Sequence, residues 1–515
     1  MSICCNMATT QIIVIFSLFI LISHAQDCIP RYFGDGKMVC VCNSTYCDFV
    51  EVNVPDKGKF RTYKSSRSGE RFKTEVSNFD TGIQNENGIV LELNLGKTYQ
   101  SIFGFGGAFT DAAGININKL SKETQEMILQ TYYGSNGSRY NLGRVPIGGT
   151  DFSTRTYTLD DTPGDTDLSS FSLANEDINY KIPYMKRALE LNPEIKFFAA
   201  SWTAPPWMKT NNNYTGFLGF LKQQCYQTYS NYLVKFLETY KNNGLPIHAI
   251  STGNEPADVF APWVPINDMG WTPSSLSNFV AQYLGPTVAN SLSNETLIWV
   301  LDDQRVFLPW FIVDMFADSS EVDKYIGGIA VHWYADNIVP PSVFDETHKL
   351  YPDIPIIMTE ACSGSEVWEL QKVKLGSWSR GENYMFSIIE DMNHWVTGWV
   401  DWNLALDKKG GPNWSKNFVD SPIIVNPETD EFFKNPMYYA LAHFSKFIPR
   451  KSTRVDLTTN DNIKSVAFST PENRTVVILL NQNEQSKNIV IVDPNQGHIN
   501  TEVSGRSFQT IIYQQ

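Results

Sequence analysis

Eight short apolar runs recur along the chain, each closing on a polar or aromatic cluster, with helically periodic segments between them. The first four are Tyr99–Phe105 leading to Asp111, Tyr140–Pro146 carrying Arg144, Ile195–Ala200 leading to Ser201 and Trp202, and Ile247–Ser251 leading to Asn254 and Glu255. The others are Thr296–Leu301 leading to Asp302, Asp303 and Arg305, Ile326–Val331 leading to His332 and Tyr334, Ile354–Met358 leading to Glu360, and Val396–Val400 leading to Asp401, Trp402 and Asn403. Helical spacing is clearest from about Leu221 to Tyr240. There Tyr226, Tyr229, Leu233, Phe236, Leu237 and Tyr240 fall three or four residues apart, and Gly244 supplies a stop. Lys122–Tyr133, bracketed by Ser121 and Gly134, predicts another helix. Continuously apolar strands alternating with helices imply a parallel sheet covered on both faces. Eight such units predict a (β/α)8 TIM barrel, an α/β fold whose active site lies at the C-terminal ends of the strands, where all eight clusters fall.

Outside the barrel the pattern changes. Residues from about Phe60 to Leu95 show short alternating stretches. Ile463–Ser469, Thr475–Leu480, Asn488–Val492 and Phe508–Tyr513 are β-branched runs separated by Pro, Asn and Gly turns. Strands before and after a barrel predict one β-sandwich assembled from residues 53–100 and 452–515, around a barrel of residues 101–403 and 436–451.

A net charge of −14 argues against nucleic acid as a partner and against simple electrostatic docking on anionic lipid. Ile12–Ile22 is almost wholly apolar and is followed by Ser23-His24-Ala25, so residues 1–25 read as a signal peptide and the chain as a secretory-pathway protein. Export favours disulfides over zinc for Cys28, Cys40, Cys42 and Cys47, which allow three connectivities. Cys225 and Cys362 stand alone and read as buried thiols. Sequons at Asn43, Asn136, Asn213, Asn294, Asn413 and Asn473 suit the same compartment as glycosylation sites.

Glu255 and Glu360 carry the chemistry. Two carboxylates at barrel strand ends are the minimum apparatus for hydrolysing a glycosidic bond, one as acid/base and one as nucleophile. Asp111 can accept from neighbouring sugar hydroxyls, and Trp202 or Trp402 can supply a flat apolar platform. Pro256 predicts an extended Glu255, and Asn254 is placed to bind the sugar 2-hydroxyl. Arg144 beside a carboxylate favours its ionised form. His332 has no partner at ligand spacing, so neither a metal nor a cofactor is expected.

Longer motifs add a resemblance. Phe103-Gly-Phe-Gly-Gly-Ala-Phe-Thr-Asp111, Ser201-Trp-Thr-Ala-Pro205, Asn254-Glu-Pro256, Leu301-Asp-Asp-Gln-Arg305, Val331-His-Trp-Tyr334 and Thr359-Glu-Ala-Cys362 are near-verbatim motifs of one family. So are Gly398-Trp-Val-Asp-Trp-Asn-Leu-Ala-Leu406, Gly410-Gly-Pro-Asn-Trp414 and His443-Phe-Ser-Lys-Phe-Ile-Pro449. From Cys28 onward the chain resembles glycoside hydrolase family 30, in its β-glucosidase branch. The resemblance implies a retaining exo-β-glucosidase that cleaves glucosylceramide to glucose and ceramide by double displacement. Glu255 would be the acid/base and Glu360 the nucleophile. Asp111, Trp202, Asn254, Tyr334, Trp402 and Asn417 would bind or line the glucose site, supported by Arg144 and His332. It further implies disulfides Cys28–Cys40 and Cys42–Cys47, a small disulfide-bonded β domain of residues 26–52 and 404–435, and a glycan on Asn43. The setting would be a lysosomal membrane surface with anionic lipid and a saposin-type activator. The loops Lys209–Gln224 and Ala257–Asp268 depart from the family pattern, and Val259, Phe260, Trp263, Val264 and Ile266 keep the second one apolar, which suits a lipid leaving group and equally suits a cap over a helix bundle. The rival readings are a relative acting on another β-glucoside or an oligosaccharide, possibly secreted, and a non-catalytic glycan- or lipid-binding barrel. Joint retention of Glu255, Glu360, Asn254 and Tyr334 argues against the last.

Overall fold

The computed structural model describes residues 27–34, 36–82, 87–261, 266–366 and 368–515. The signal segment 1–25, and Trp263 and Val264 in the second divergent loop, lie outside them. Eight parallel strands close a barrel in sequence order: β1 Gly104–Ala108, β2 Leu142–Ile147, β3 Lys196–Ser201, β4 Ile247–Ser251, β5 Leu297–Gln304, β6 Ile326–His332, β7 Ile356–Glu360 and β8 Val396–Asn403. The last strand returns to the first, with Gly398 opposite Gly104 and Trp399 opposite Phe105. Leu142, Phe198, Ala249, Trp299, Ala330, Ile357 and Val400, one from each of β2 to β8, pack with Phe103 into a single cluster. This plug fills the barrel as a core, so substrate has access only at the strand ends.

The first strand begins later than its apolar run suggests. Tyr99 belongs to Ile89–Ser101, a long strand of the outer sheet, and the chain turns into β1 at Gly104. Gly104 has φ +150°, and a Cβ there would stand 2.0 Å from the Asn141 Oδ1 that accepts the Phe105 N–H. Only glycine makes this corner. The helix Lys122–Tyr133 has its expected bounds, with the Ser121 hydroxyl accepting from Thr124 N (3.2 Å). The helix Tyr226–Asn242 buries Tyr226, Tyr229, Leu233, Phe236, Leu237 and Tyr240 on the barrel side.

A nine-stranded sheet is drawn from both sides of the barrel sequence. Its order is Gly497–Val503, Lys487–Asp493, Ile89–Ser101, Thr453–Leu457, Lys464–Ser469, Arg474–Asn481, Ser507–Gln514, Lys59–Ser66 and Lys73–Asn78. Alternation sorts its side chains. On Arg474–Asn481, Val477 and Leu479 face the sandwich interior, while Val476, Ile478 and Leu480 join the main core around the barrel helices. A smaller four-stranded sheet pairs Pro30–Tyr32, Met38–Asn43, Glu431–Lys434 and Ile423–Asn426. Cys28–Cys40 and Cys42–Cys47 bridge its first strands, and Cys225 and Cys362 are free and buried. Among the described residues, no helix is long and apolar enough to cross a membrane.

Candidate active site

Glu360 ends β7 and faces the barrel axis, almost fully buried. The Arg144 guanidinium, reaching from β2, donates to its Oε2, and the Tyr334 hydroxyl donates to its Oε1 (2.8 Å). Burial pushes the Glu360 carboxyl up, while Arg144 and His332 pull against that rise and the Glu255 charge adds to it. Arg144 also donates to Asn254 Oδ1 (2.8 Å) and to Asp302 Oδ2 (3.0 Å). Because Asn254 spends its oxygen on Arg144, its amide hydrogens are left to donate into the site.

Glu255 follows β4 in an unexpected conformation. Its backbone is left-handed, at φ +42° and ψ +59°, rather than extended as the following proline predicts. For a residue other than glycine this costs about 1–3 kcal/mol. Three hydrogen bonds impose it. Its N–H donates to Asp302 O (2.9 Å), and its Oε1 is bonded to Gln304 Nε2 (2.7 Å) and His332 Nδ1 (2.8 Å). Leu301 (φ +75°) and Asp302 (φ +51°) share this strain, so three such residues meet at one point.

Asp302 joins the two halves. It is fully buried, and its carboxylate accepts from Arg144, Ser251 (2.7 Å) and Thr359 (2.6 Å) and contacts His332 Nε2 at 3.0 Å. Burial opposes its charge, but Arg144 and His332 hold it well below the usual carboxylate range. His332 is likewise buried, and the charges of Glu360, Asp302 and Glu255 outweigh that burial and push it up to about 10. The surrounding carboxylates thus favour the protonated ring. Its partners come from β4, β5 and β7 and were invisible as sequence spacing. One atom each of Glu255, His332 and Glu360 lie within 4.8 Å of one another, a cluster that a metal could in principle bridge. Both ring nitrogens of His332 are engaged by carboxylates, Nδ1 by Glu255 and Nε2 by Asp302.

Asp111 sits inside a buried polar cluster. Its Oδ2 accepts from Ser153 (2.6 Å) and Tyr157 (2.8 Å), and its Oδ1 faces the buried Lys181 ammonium at 3.3 Å. It is committed to an internal ion pair. Asp151, just past β2, is a second buried carboxylate beside the two glutamates. Burial, then the charges of Glu360 and Glu255, push Asp151 up to about 7, so it stands within electrostatic reach of both glutamates. Asn413 (3.1 Å) and Asn417 (3.0 Å) donate to its Oδ2. Asn417 therefore reaches the site through Asp151. Trp202 and Trp402 stack on each other, 5.1 Å apart at 18°, with the Arg144 guanidinium 4.9 and 5.3 Å from their ring centres. Much of their flat surface is spent inside the site, and neither indole N–H donates to a protein acceptor among the described residues.

One further expectation changes, at Asn413, and the reading of Cys362 as a buried thiol holds. Asn413 is buried, with its Oδ1 accepting from Ser415 N and Asn417 N and its Nδ2 donating to Asp151 and Asn417 O, so a glycan there is incompatible with this loop. Asn213, Asn294 and Asn473 are exposed, and Asn43 and Asn136 half-buried. Cys362 Sγ lies 3.2 Å from the Tyr334 hydroxyl, and burial pushes its thiol far up, which makes it inert.

Opposed carboxylates at the mouth of such a barrel, each held by its own set of donors, define a glycoside hydrolase. Residues 102–448 match the glycosyl hydrolase family 30 TIM-barrel domain, and residues 451–511 match the family's beta sandwich domain. The chain belongs to glycosyl hydrolase family 30. It is 44% identical to the lysosomal acid glucosylceramidase of Mus musculus over 510 residues, spanning 97% of this chain and 98% of that protein. The crystal structure of SrfJ from Salmonella typhimurium superposes with a TM-score of 0.82 at 26% identity, over 89% of this chain and all of that one. An endo-β1,6-glucanase structure gives 0.79 at 26% identity, over 88% of this chain and all of that one.

Proposed function

We propose that the chain is a retaining exo-β-glucosidase that hydrolyses glucosylceramide to glucose and ceramide in the lysosome. The separation of the two carboxylates carries this reading. Oxygens within 4.8 Å of each other match the spacing of about 5–5.5 Å in retaining enzymes and leave no room for the water an inverting enzyme needs. Glu360, held by Arg144 and Tyr334, attacks the anomeric carbon while Glu255 protonates the departing oxygen. Glu255 then takes a proton from the water that releases glucose. Asn254 donates to the 2-hydroxyl, and Asp151, with Asn417 behind it, accepts from hydroxyls at the far end of the ring.

The name of the mouse relative supports ceramide as the leaving group, and so does the rim of the barrel. Phe217, Phe260, Trp310, Ile338, Trp368 and Leu370 are exposed on the segments that follow β3 to β7, around the mouth. Such a rim suits a lipid surface reached through apolar contact, with anionic lipid and a saposin-type activator presenting the substrate. The similarity to an endo-β1,6-glucanase favours a second reading, a soluble β-glucan as substrate. Faster turnover of β-1,6-glucan than of glucosylceramide in mixed micelles would establish that reading instead.

The roles of the glutamates are tested with an aryl glucoside and azide. Glu255→Gln forms the glycosyl-enzyme and then stalls by about 10²–10⁴-fold, and azide rescues it to the β-glucosyl azide. Glu360→Ala forms no intermediate, and azide gives the α-glucosyl azide by a single inversion. The same anomer from both variants would overturn the mechanism.

A further inference from the structure

A cavity of about 420 Å³ lies beside the nucleophile, between the segments after β6 and β7 and the helix Trp378–Asn393. Tyr334 and Cys362 reach it from the catalytic side, and Trp333, Asp336, Asn383 and Glu390 line its other walls. One wall is acidic. Oxygens of Asp336, Glu390 and Asp391 lie within 4.8 Å of one another. The cation facing them is Arg305, whose Nε is 3.1 Å from Asp336 and whose Nη1 is 3.1 Å from Glu390 and 3.9 Å from Asp391. Three carboxylates thus share one guanidinium.

Asp391 is the decisive member. It is fully buried, and neither of its oxygens accepts a hydrogen bond. The neighbouring indole donor, Trp399 Nε1, is directed to Ser387 Oγ (3.4 Å). Both Asp336 oxygens also lack a hydrogen bond. Burying carboxylate oxygens that accept no hydrogen bond is costly in a folded protein, and here such oxygens of Asp336 and Asp391 lie together next to the cavity that Asp336 and Glu390 line.

We propose that Asp336, Glu390 and Asp391 bind a divalent hard cation, Ca²⁺ by preference. The donor set is oxygen only, which excludes soft metals. Ca²⁺ accepts six to eight oxygens in irregular geometry, and the cavity supplies room for water to complete the shell. Arg305 bridges Asp336 and Glu390 and stands 3.9 Å from Asp391 without donating a hydrogen bond to it, and the ion neutralises the two charges that this one cation does not balance. The bound ion ties the segment carrying Tyr334, which holds Glu360, to the helix Trp378–Asn393. The site stands apart from the sugar chemistry and does not depend on the substrate assignment.

Tb³⁺, excited through Trp333 and Trp399, reports the site directly. The full chain, stripped with chelator at neutral pH, gives saturable emission at one ion per chain, and Ca²⁺ displaces it. Asp391→Asn and Glu390→Gln each weaken binding about tenfold or more, because each removes a ligand charge. If Asp391→Asn does not fold, Glu390→Gln at the cavity surface decides alone. No sensitised emission, failure of Ca²⁺ to compete, or folded variants that titrate like the wild type would overturn the proposal and leave an acid cluster neutralised by protons.

Discussion

The mouth of the barrel and the interior of the sandwich are buried to similar extents, yet they are built from opposite materials. At the mouth, Arg144, Asp302, His332, Glu360 and Asp151 are all but sealed from solvent and hold one another in place. Inside the sandwich, Leu91, Val455, Val477, Leu479, Ile491, Ile499 and Ile511 meet as hydrocarbon. The contrast concerns coupling. Each apolar contact contributes nearly on its own, whereas each charge at the mouth is tolerable only while its partners remain.

The largest test of that contrast is functional. Glu360→Ala should lower turnover on the order of 10⁴-fold or more, while the melting temperature changes little, since Asp302 still pairs Arg144 and His332 when Glu360 is gone. A parallel loss of stability would show that the mouth is structural first. Arg144→Met comes next. It strands Asp302 and Glu360 together, so unfolding in urea should reveal a loss of about 3–5 kcal/mol; a loss under about 1 kcal/mol would mean the carboxylates find protons or water instead.

The third test uses pH. The Asp151 carboxyl is raised from its ordinary value to about 7. Its contribution to stability is therefore fully present below about pH 4 and is lost as pH climbs through about 7. Asp151→Asn should remove that decline, roughly 2–4 kcal/mol between the two ends, while raising KM for an aryl glucoside. Melts at stepped pH with the same slope in both proteins would refute it. The smallest effect belongs to the sandwich. Ile491→Val should cost about 0.5–1.5 kcal/mol, equally at every pH and without change in kcat. A pH-dependent cost would show that the two regions are not separate.

The same contrast explains what could be read in advance. The sandwich strands, the helix Lys122–Tyr133 and seven of the eight barrel strands follow from periodicity, because burying an apolar face is a local demand that leaves a local pattern. Glu255 and Glu360 were legible because each ends an apolar run. Asp151 was not. It follows β2 as an ordinary polar residue, and only its Asn413 and Asn417 donors, far along the chain, mark it. Asp111 looked better placed and proved to be Lys181's partner. The left-handed Glu255 was equally hidden, since Pro256 argues locally for the opposite and the bonds to Asp302, Gln304 and His332 that overrule it are tertiary.

The sheet order also dictates a sequence of events in synthesis. Lys59–Ser66 pairs with Ser507–Gln514 on one side and only with its own hairpin partner, Lys73–Asn78, on the other. Emerging from a ribosome, that hairpin exposes a bare edge while the entire barrel is made, and an exposed edge invites pairing with another chain. Strand Ser507–Gln514 then enters between two strands, Arg474–Asn481 and Lys59–Ser66, and closes the sheet in one step. Completion of this fold thus waits for Ser507–Gln514, and the chain is most exposed to misassembly until that strand arrives.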